Sequence, residues 1–292
     1  MMKKVLSLSP KNFEDYQLVD SGKGKKLERF GEYLLIRPES KAIWKRALDP
    51  SRWEQANAEF VEGEKRSGIW QKKDLPHQRW KLNYKGLKFW CEIEQSKQVG
   101  FFPENAGHWD WVSRQIEKAD KKSSVLNLFG YSGIASLAAA QAGADVTHID
   151  SSRRAIRLGK EGQQLSGLDS SKIRWICEDA INFAQREYRR GNKYDGLILD
   201  PPMFGLGPKK ERWEFYKHFL PFCELLSELI SDKPLFVLIT AYAKGMEEGL
   251  IQEGMQKMRL PKGEKEFGEL VLQEKSAGRR ISMSYFGHWS AK

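Results

Sequence analysis

Between residues 125 and 240 the chain alternates short apolar runs with amphipathic stretches, and this rhythm restricts the fold more than any other feature. VLNLF (125–129), DVTHID (145–150), IRWIC (173–177), YDGLILD (194–200) and LFVLIT (235–240) read as strands. IASLAAAQAG (134–143), SRRAIRLGKEGQQLSG (152–167), AINFAQREYRRG (180–191) and ERWEFYKHFLPFCELLSELI (211–230) read as helices, the first closed by Gly143 and the last interrupted at Pro221. Apolar strands separated by helices form a parallel sheet covered on both faces. ELVLQEK (269–275) and RISMSYFGHW (280–289) add a hairpin-like pair, which implies one antiparallel strand at or near the sheet edge. GHWDWVSRQIEKADKK (107–122) is a further helix. The expected architecture is α/β over residues 99–292, preceded by a small basic β-rich module over residues 1–98. There, LERFGEYLLIRP (27–38) and HQRWKLNYKGLKFWCEIE (77–94) read as hairpins turning near Gly31 and at Lys85-Gly86, and residues 1–12 as a loose terminus.

Charge suggests a partner. The formal net charge is +10, and residues 1–100 hold 21 Lys and Arg against 14 Asp and Glu. Such an excess favours polyanions, nucleic acid first, with a solvated basic surface as the plain alternative. The run 69–90 interleaves Lys and Arg with aromatics, which suits phosphate contact plus base stacking. It equally suits a two-faced hairpin with its aromatics inward. Lys209, Lys210 and Arg212 offer further phosphate contacts, or a solvated helix start. Cys91, Cys177 and Cys223 make neither a CxxC site nor a disulfide framework, as expected of a cytoplasmic chain. Met1-Met2-Lys3-Lys4 precedes an apolar run too short for a signal peptide, and no run reaches the ~18 apolar residues of a membrane span. The five histidines show no metal-ligand spacing, so no metal is expected.

Four strand ends carry residues suited to chemistry. LNLFGYSG (126–133) turns from strand to helix, and Gly130 and Gly133 permit a tight turn beside free helix N–H groups. It is neither GxGxxG nor a P-loop. Asp150 ends the next strand, where an acid can accept both hydroxyls of a ribose or, with Ser151 or Ser152 as competitors, cap the next helix. Asp179, in Glu178-Asp179-Ala180, can accept from an adenine amine, cap the following helix, or do both. Asp200-Pro201-Pro202-Met203-Phe204 closes the fourth strand. The prolines would leave the preceding carbonyls aimed outward, Asp200 could hold an acceptor amine, and Phe204 could offer a stacking face.

Together these motifs resemble the S-adenosylmethionine-dependent methyltransferases of the Rossmann-like class. More narrowly, they resemble the ribosomal-RNA large-subunit branch, with its Asp-Pro-Pro-x-Phe motif. The matching residues are Asn127, Phe129, Gly130, Tyr131, Ser132 and Gly133, then Asp150 with Ser151, Asp179 with Ala180, and Asp200 to Phe204. GFFPENAGHWDWV (100–112) matches a segment of that branch that rims the cofactor pocket. The resemblance therefore places Phe102, Pro103 and Glu104 near the methionine or adenosine end of S-adenosylmethionine. It implies a mixed seven-stranded sheet in the order 3-2-1-4-5-7-6, its last strand antiparallel, and RNA, first ribosomal RNA, as partner. Met203 stands where relatives often carry Lys or Ser.

Methylating pyrimidine carbon 5 needs a cysteine nucleophile. None stands in DPPMFG, and the run 239–245 has Tyr242 where one would be expected. Direct transfer to nitrogen or oxygen is therefore expected, with Asp200 holding the acceptor and Phe204, Tyr131 or Phe102 stacking on an extruded base. A methyltransferase acting on a small molecule or protein, and a non-catalytic RNA-binding protein retaining the fold, are the alternatives.

Overall fold

A computed structural model describes residues 6–63, 68–93, 96–242 and 247–292. Residues 1–5, which include the run Met1–Lys4, lie outside the described residues, as do Glu94 of the second expected hairpin and residues 243–245 of the run 239–245.

The chain starts with strand β1 (Leu6–Leu8). A five-stranded sheet follows, built from β2 (Tyr16–Gly22), β3 (Lys25–Phe30), β4 (Tyr33–Pro38), a short helix α1 (Pro50–Glu54), β5 (Ala58–Glu62) and β6 (Gly68–Lys72). Gly31, at φ +63°, turns β3 into β4 as the sequence suggests, and α1 lies on the crossover that brings β5 parallel to β4. The second hairpin is β7 (Arg79–Tyr84) and β8 (Leu87–Glu92), with Lys85 and Gly86 both at positive φ. Its residues alternate strictly. Trp80, Leu82 and Tyr84 are buried and Arg79, Lys81 and Asn83 are exposed, so most of its aromatics serve the core. Trp90 is half-buried, with the Arg79 guanidinium 4.3 Å from its ring centroid.

A 3-10 turn (Pro103–Asn105) leads into α2 (Ala106–Glu117). The alternation then runs β9 (Ser124–Leu128), α3 (Ile134–Gln141), β10 (Asp145–Asp150), α4 (Arg153–Leu165), β11 (Ile173–Cys177), α5 (Ala180–Arg190) and β12 (Gly196–Leu199). A small hairpin, β13 (Phe204–Leu206) and β14 (Arg212–Glu214), precedes α6 (Phe215–Ser227). The chain closes with β15 (Phe236–Ala241), α7 (Glu247–Lys257), β16 (Gly263–Gln273) and β17 (Arg280–Ala291). The large sheet has the order β1-β16-β17-β15-β12-β9-β10-β11. Without β1 this is the expected 3-2-1-4-5-7-6, and β17 runs antiparallel to both its neighbours. The protein thus has the Rossmann-like α/β methyltransferase fold with a β-rich N-terminal region.

Two sequence expectations give way. The sheet has eight strands, because Leu6–Leu8, expected as part of a loose terminus, pairs in parallel with residues 268–270. Gly268 allows the approach: a Cβ there would lie 2.2 Å from the Leu6 carbonyl oxygen. The helix expected from residue 211 begins at Phe215, because residues 204–214 double back through Lys210 at φ +69° to form the small hairpin.

One aromatic cluster joins the two parts of the chain. The Phe13 ring lies 4.8–6.3 Å, centroid to centroid, from Tyr16, Tyr84, Phe89, Phe101 and Trp109. Deleting residues 1–95 would strip four of these six rings, so that truncation cannot test RNA binding alone. Phe13→Ala should cost about 3–5 kcal/mol. Urea unfolding followed by tryptophan fluorescence checks it, with a single transition expected because the cluster spans both parts; a loss under 1 kcal/mol would contradict the cluster's role.

Candidate active site

The site lies at the carboxyl ends of β9, β10, β11 and β12, where the strand order reverses and open α/β sheets bind ligands. The turn after β9 is strained. Phe129 and Tyr131 sit at φ +57° and +50°, with Gly130 between them and Gly133, at φ +75°, opening α3. Two bonds hold it: the Gly130 N–H donates to the Ile149 carbonyl at 3.1 Å, and the Tyr131 N–H to Asp150 Oδ2 at 2.8 Å. Asp150 Oδ1 accepts from the Ser152 N–H at 2.8 Å, while Ser152 itself caps α4. Burial raises the Asp150 carboxyl above its ordinary pKa, against the pull of these two amides.

Two pockets flank the turn. The first, of about 320 Å3, is lined by Phe129, Asp150, Ser151, Asp179, Ala180 and Pro202, among others. Asp179 performs the capping role foreseen for it: Oδ1 accepts from the Asn182 N–H at 2.9 Å, and the residue still lines the pocket. The neighbouring Glu178 is occupied by a two-pronged ion pair with Arg186. The roof is Trp213, whose ring packs on Phe129 with centroids 4.7 Å apart.

The second pocket, of about 370 Å3, is lined by Phe102, Asn105, Asn127, Gly130, Tyr131, Ser132 and Asp200, among others. Asn127 forms its floor; its Nδ2 donates to Ser136 Oγ at 2.9 Å, while its Oδ1 is buried without a partner. Asp200 Oδ2 accepts from Tyr242 Oη at 3.2 Å and from Asn105 Nδ2 at 3.4 Å, and Oδ1 is shielded from solvent with no partner. Burial pushes this carboxyl up to about 7, more than the two bonds hold it down. Phe102 and Tyr131 rings stand 5.3 Å apart at the rim.

Some expected residues lie elsewhere. Pro103 and Glu104 line a neighbouring cleft and neither of these pockets. Gly133 lies behind the turn, and Pro201 is buried outside both pockets. Phe204 is 68% exposed on β13 and borders neither pocket, because the small hairpin carries it outward. The Pro202 carbonyl does not point at an acceptor; it takes the Trp213 indole N–H at 2.7 Å. Lys209 and Lys210 sit in the hairpin loop, with Arg212 exposed on β14, rather than at a helix start. Sequence reasoning missed Asn105, although it directly follows the Pro103-Glu104 pair, and noted Tyr242 only for not being a cysteine.

Comparisons with known proteins agree with this geometry. A family model for S-adenosylmethionine-dependent methyltransferases matches residues 65–246. The crystal structure of a SAM-dependent methyltransferase from Agrobacterium tumefaciens is 41% identical, at a TM-score of 0.93 over 98% of this chain and 94% of that one. The ribosomal RNA large subunit methyltransferase I of Klebsiella pneumoniae is 28% identical over 132 residues, 45% of this chain and 32% of that protein. That of Aeromonas salmonicida is 33% identical over 121 residues, 41% of this chain and 29% of that protein. The chain thus matches about a third of these curated relatives' length. The tRNA methyltransferase of M. jannaschii, at 17% identity and a TM-score of 0.53 over 95% of this chain and 74% of that one, shares the fold. The chain belongs to the S-adenosylmethionine-dependent methyltransferase family.

It is an enzyme, with S-adenosylmethionine as cofactor, and its residues fit that molecule. The first pocket offers Asp150 and Asp179 for ribose and adenine with Phe129 beside them, and the second offers the orphaned Asn127 Oδ1 next to Asp200. When bound, the cofactor supplies a methyl carbon activated by a positively charged sulfur.

The Asp200 environment also sets a stability signature. An unfolded aspartate titrates near 3.9, so between about pH 4 and 7 the folded state binds more protons and the enzyme loses stability as pH rises. Asp200→Asn removes that penalty. Its gain over the parent enzyme should be small at pH 4, grow toward pH 7 and then level off. Urea unfolding at pH 4 and pH 8 measures this; an equal gain at both would show Asp200 to be solvated.

Proposed function

We propose that the enzyme methylates a base in RNA, first ribosomal RNA, by direct transfer to nitrogen. The observation that carries the reading is the partnered yet incompletely satisfied Asp200 at the β12 end, with Asn105 and Tyr242 fixing one oxygen and the other left unpaired. That free acceptor suits an amine N–H. As the nitrogen lone pair forms the bond to the methyl carbon, the carbon–sulfur pair returns to sulfur and the nitrogen's proton passes to Asp200 or to water. No cysteine lines either pocket among the described residues: Cys91 and Cys223 are buried, and Cys177 donates to the Ser151 carbonyl at 3.4 Å. This favours direct transfer over a covalent pyrimidine intermediate. The basic outer face of β7–β8 and the printed names of the ribosomal RNA relatives support RNA as the polyanion.

The test is transfer of labelled methyl groups to RNA extracted from a strain lacking the gene. Label is expected in RNA and not in protein. Asp200→Ala should lower the transfer rate roughly a thousandfold while calorimetry shows cofactor affinity within about twofold. Cys223→Ser should keep full activity, and its loss with folding intact would reinstate the covalent route. For the parent enzyme, transfer should rise with pH and half-saturate near 7, where Asp200 ionises.

A further inference from the structure

Beside the Asp200 pocket lies a cleft of about 600 Å3 that the transfer chemistry leaves unused. It opens between the β3–β4 hairpin and the turn before α2, and Lys26, Phe102, Glu104, Tyr242 and Met283 are among its lining. Phe102 also lines the Asp200 pocket, and Tyr242 donates to Asp200, so the cleft and the reacting centre share a wall. Two charged side chains in the cleft are almost wholly removed from water: Lys26 is 5% exposed and Glu104 3%.

Their partners differ. The buried Glu28 lies 3.4 Å from Lys26 Nζ and accepts from Arg37 Nε at 2.7 Å, Arg37 Nη2 at 2.9 Å and Tyr16 Oη at 2.9 Å. Glu28 is thus committed to fixing two cations. Arg37 is used up by Glu28 and by the Lys97 carbonyl, at 3.1 Å. Lys26 has three donors and a single ion-pair contact. Glu104 makes no hydrogen bond or ion pair to another side chain among the described residues. A buried carboxyl left this way is costly, and a ligand that brings a donor removes the cost. Burial raises its proton affinity accordingly, with Lys26 and Arg37 opposing and Glu28 adding to the rise.

We propose that this cleft receives the acceptor base, and that Glu104 and Lys26 select one bearing both an exocyclic amine and a ring carbonyl, cytosine or guanine. The proposal rests on the RNA reading above. Glu104 accepts an amine N–H, Lys26 donates to the carbonyl, and Phe102 offers a stacking face next to Asp200. Adenine has no carbonyl and uracil no amine. Each would leave one buried charge unpaired, a penalty that discriminates far more strongly than shape. Glu104 then belongs to the acceptor, not to the cofactor.

The experiment labels RNA from the strain lacking the gene, digests it and identifies the methylated nucleoside by mass spectrometry. Methylcytidine or methylguanosine is expected. Methyladenosine or methyluridine overturns the selection while leaving the RNA reading intact, and absence of label from RNA overturns that reading and the proposal with it. Glu104→Leu should lower kcat/KM for RNA at least about a hundredfold, and Glu104→Gln, which retains an acceptor, less than about tenfold. Cofactor affinity should stay within about twofold in both. A Glu104→Leu enzyme that melts normally but loses cofactor affinity would assign Glu104 to the cofactor and overturn the proposal. Nucleoside identification uses only the parent enzyme, so it decides the matter even where that variant fails to fold.

Discussion

The 2.8 Å bond from the Tyr131 amide to Asp150 is the constraint on which the pockets depend. Phe129 and Tyr131 hold left-handed backbones, at a cost of about 1–3 kcal/mol each. Such a turn persists only where its surroundings over-determine it. Asp150 does so by binding the turn with one oxygen and the start of α4 with the other. From below, Gly130 rests on the buried chain Asn127–Ser136–His148; a Cβ at Gly130 would lie 2.4 Å from the His148 ring. The acid that the fold offers to a ribose is therefore the same acid that shapes the ledge on which the ligand lies. Structure and binding are not separable at this residue.

A second dependence runs between the N-terminal strands and the catalytic sheet. The cleft beside Asp200 has one wall from Lys26 and Arg37 and the other from Phe102 and Glu104. Phe13, Tyr84, Phe89, Phe101 and Trp109 fix these walls relative to each other through edge and tilted ring contacts. Glu28 keeps Lys26 and Arg37 charged inside that wall. A basic surface alone would hold a polyanion loosely; a buried cation at a set depth can read a chemical group.

Much of this was present in the sequence. The strands from 125 to 240 were visible because fully buried strands are apolar without interruption, and Asp150, Asp179 and Asp200 stood out because they end them. The aromatic-basic run of the second hairpin admitted two readings, and its strict alternation of Trp80, Leu82 and Tyr84 with Arg79, Lys81 and Asn83 decides for the inward one. What stayed hidden depends on contacts distant in sequence. Asn105 and Tyr242 meet at Asp200 from different ends of the domain. Glu104 lies between two sheets, where neighbouring residues gave no hint of its burial. The hairpin at 204–214 turns on a single left-handed lysine, a conformation that lysine rarely signals.

The edge strand formed by Leu6–Leu8 has a consequence for how the molecule comes into being. It pairs with residues 268–270, and nearby Ser21 donates to Glu274, 253 residues away, while Ser276 donates to Asp20, 256 residues away. The first segment to leave the ribosome thus waits for nearly the last before its backbone groups are satisfied. Closing so long a loop is slow, and the strand edge of β2 and β1 stays open meanwhile. In a growing chain that edge is the surface most in need of protection, which makes the order of synthesis, rather than the final stability, the tightest demand on this fold.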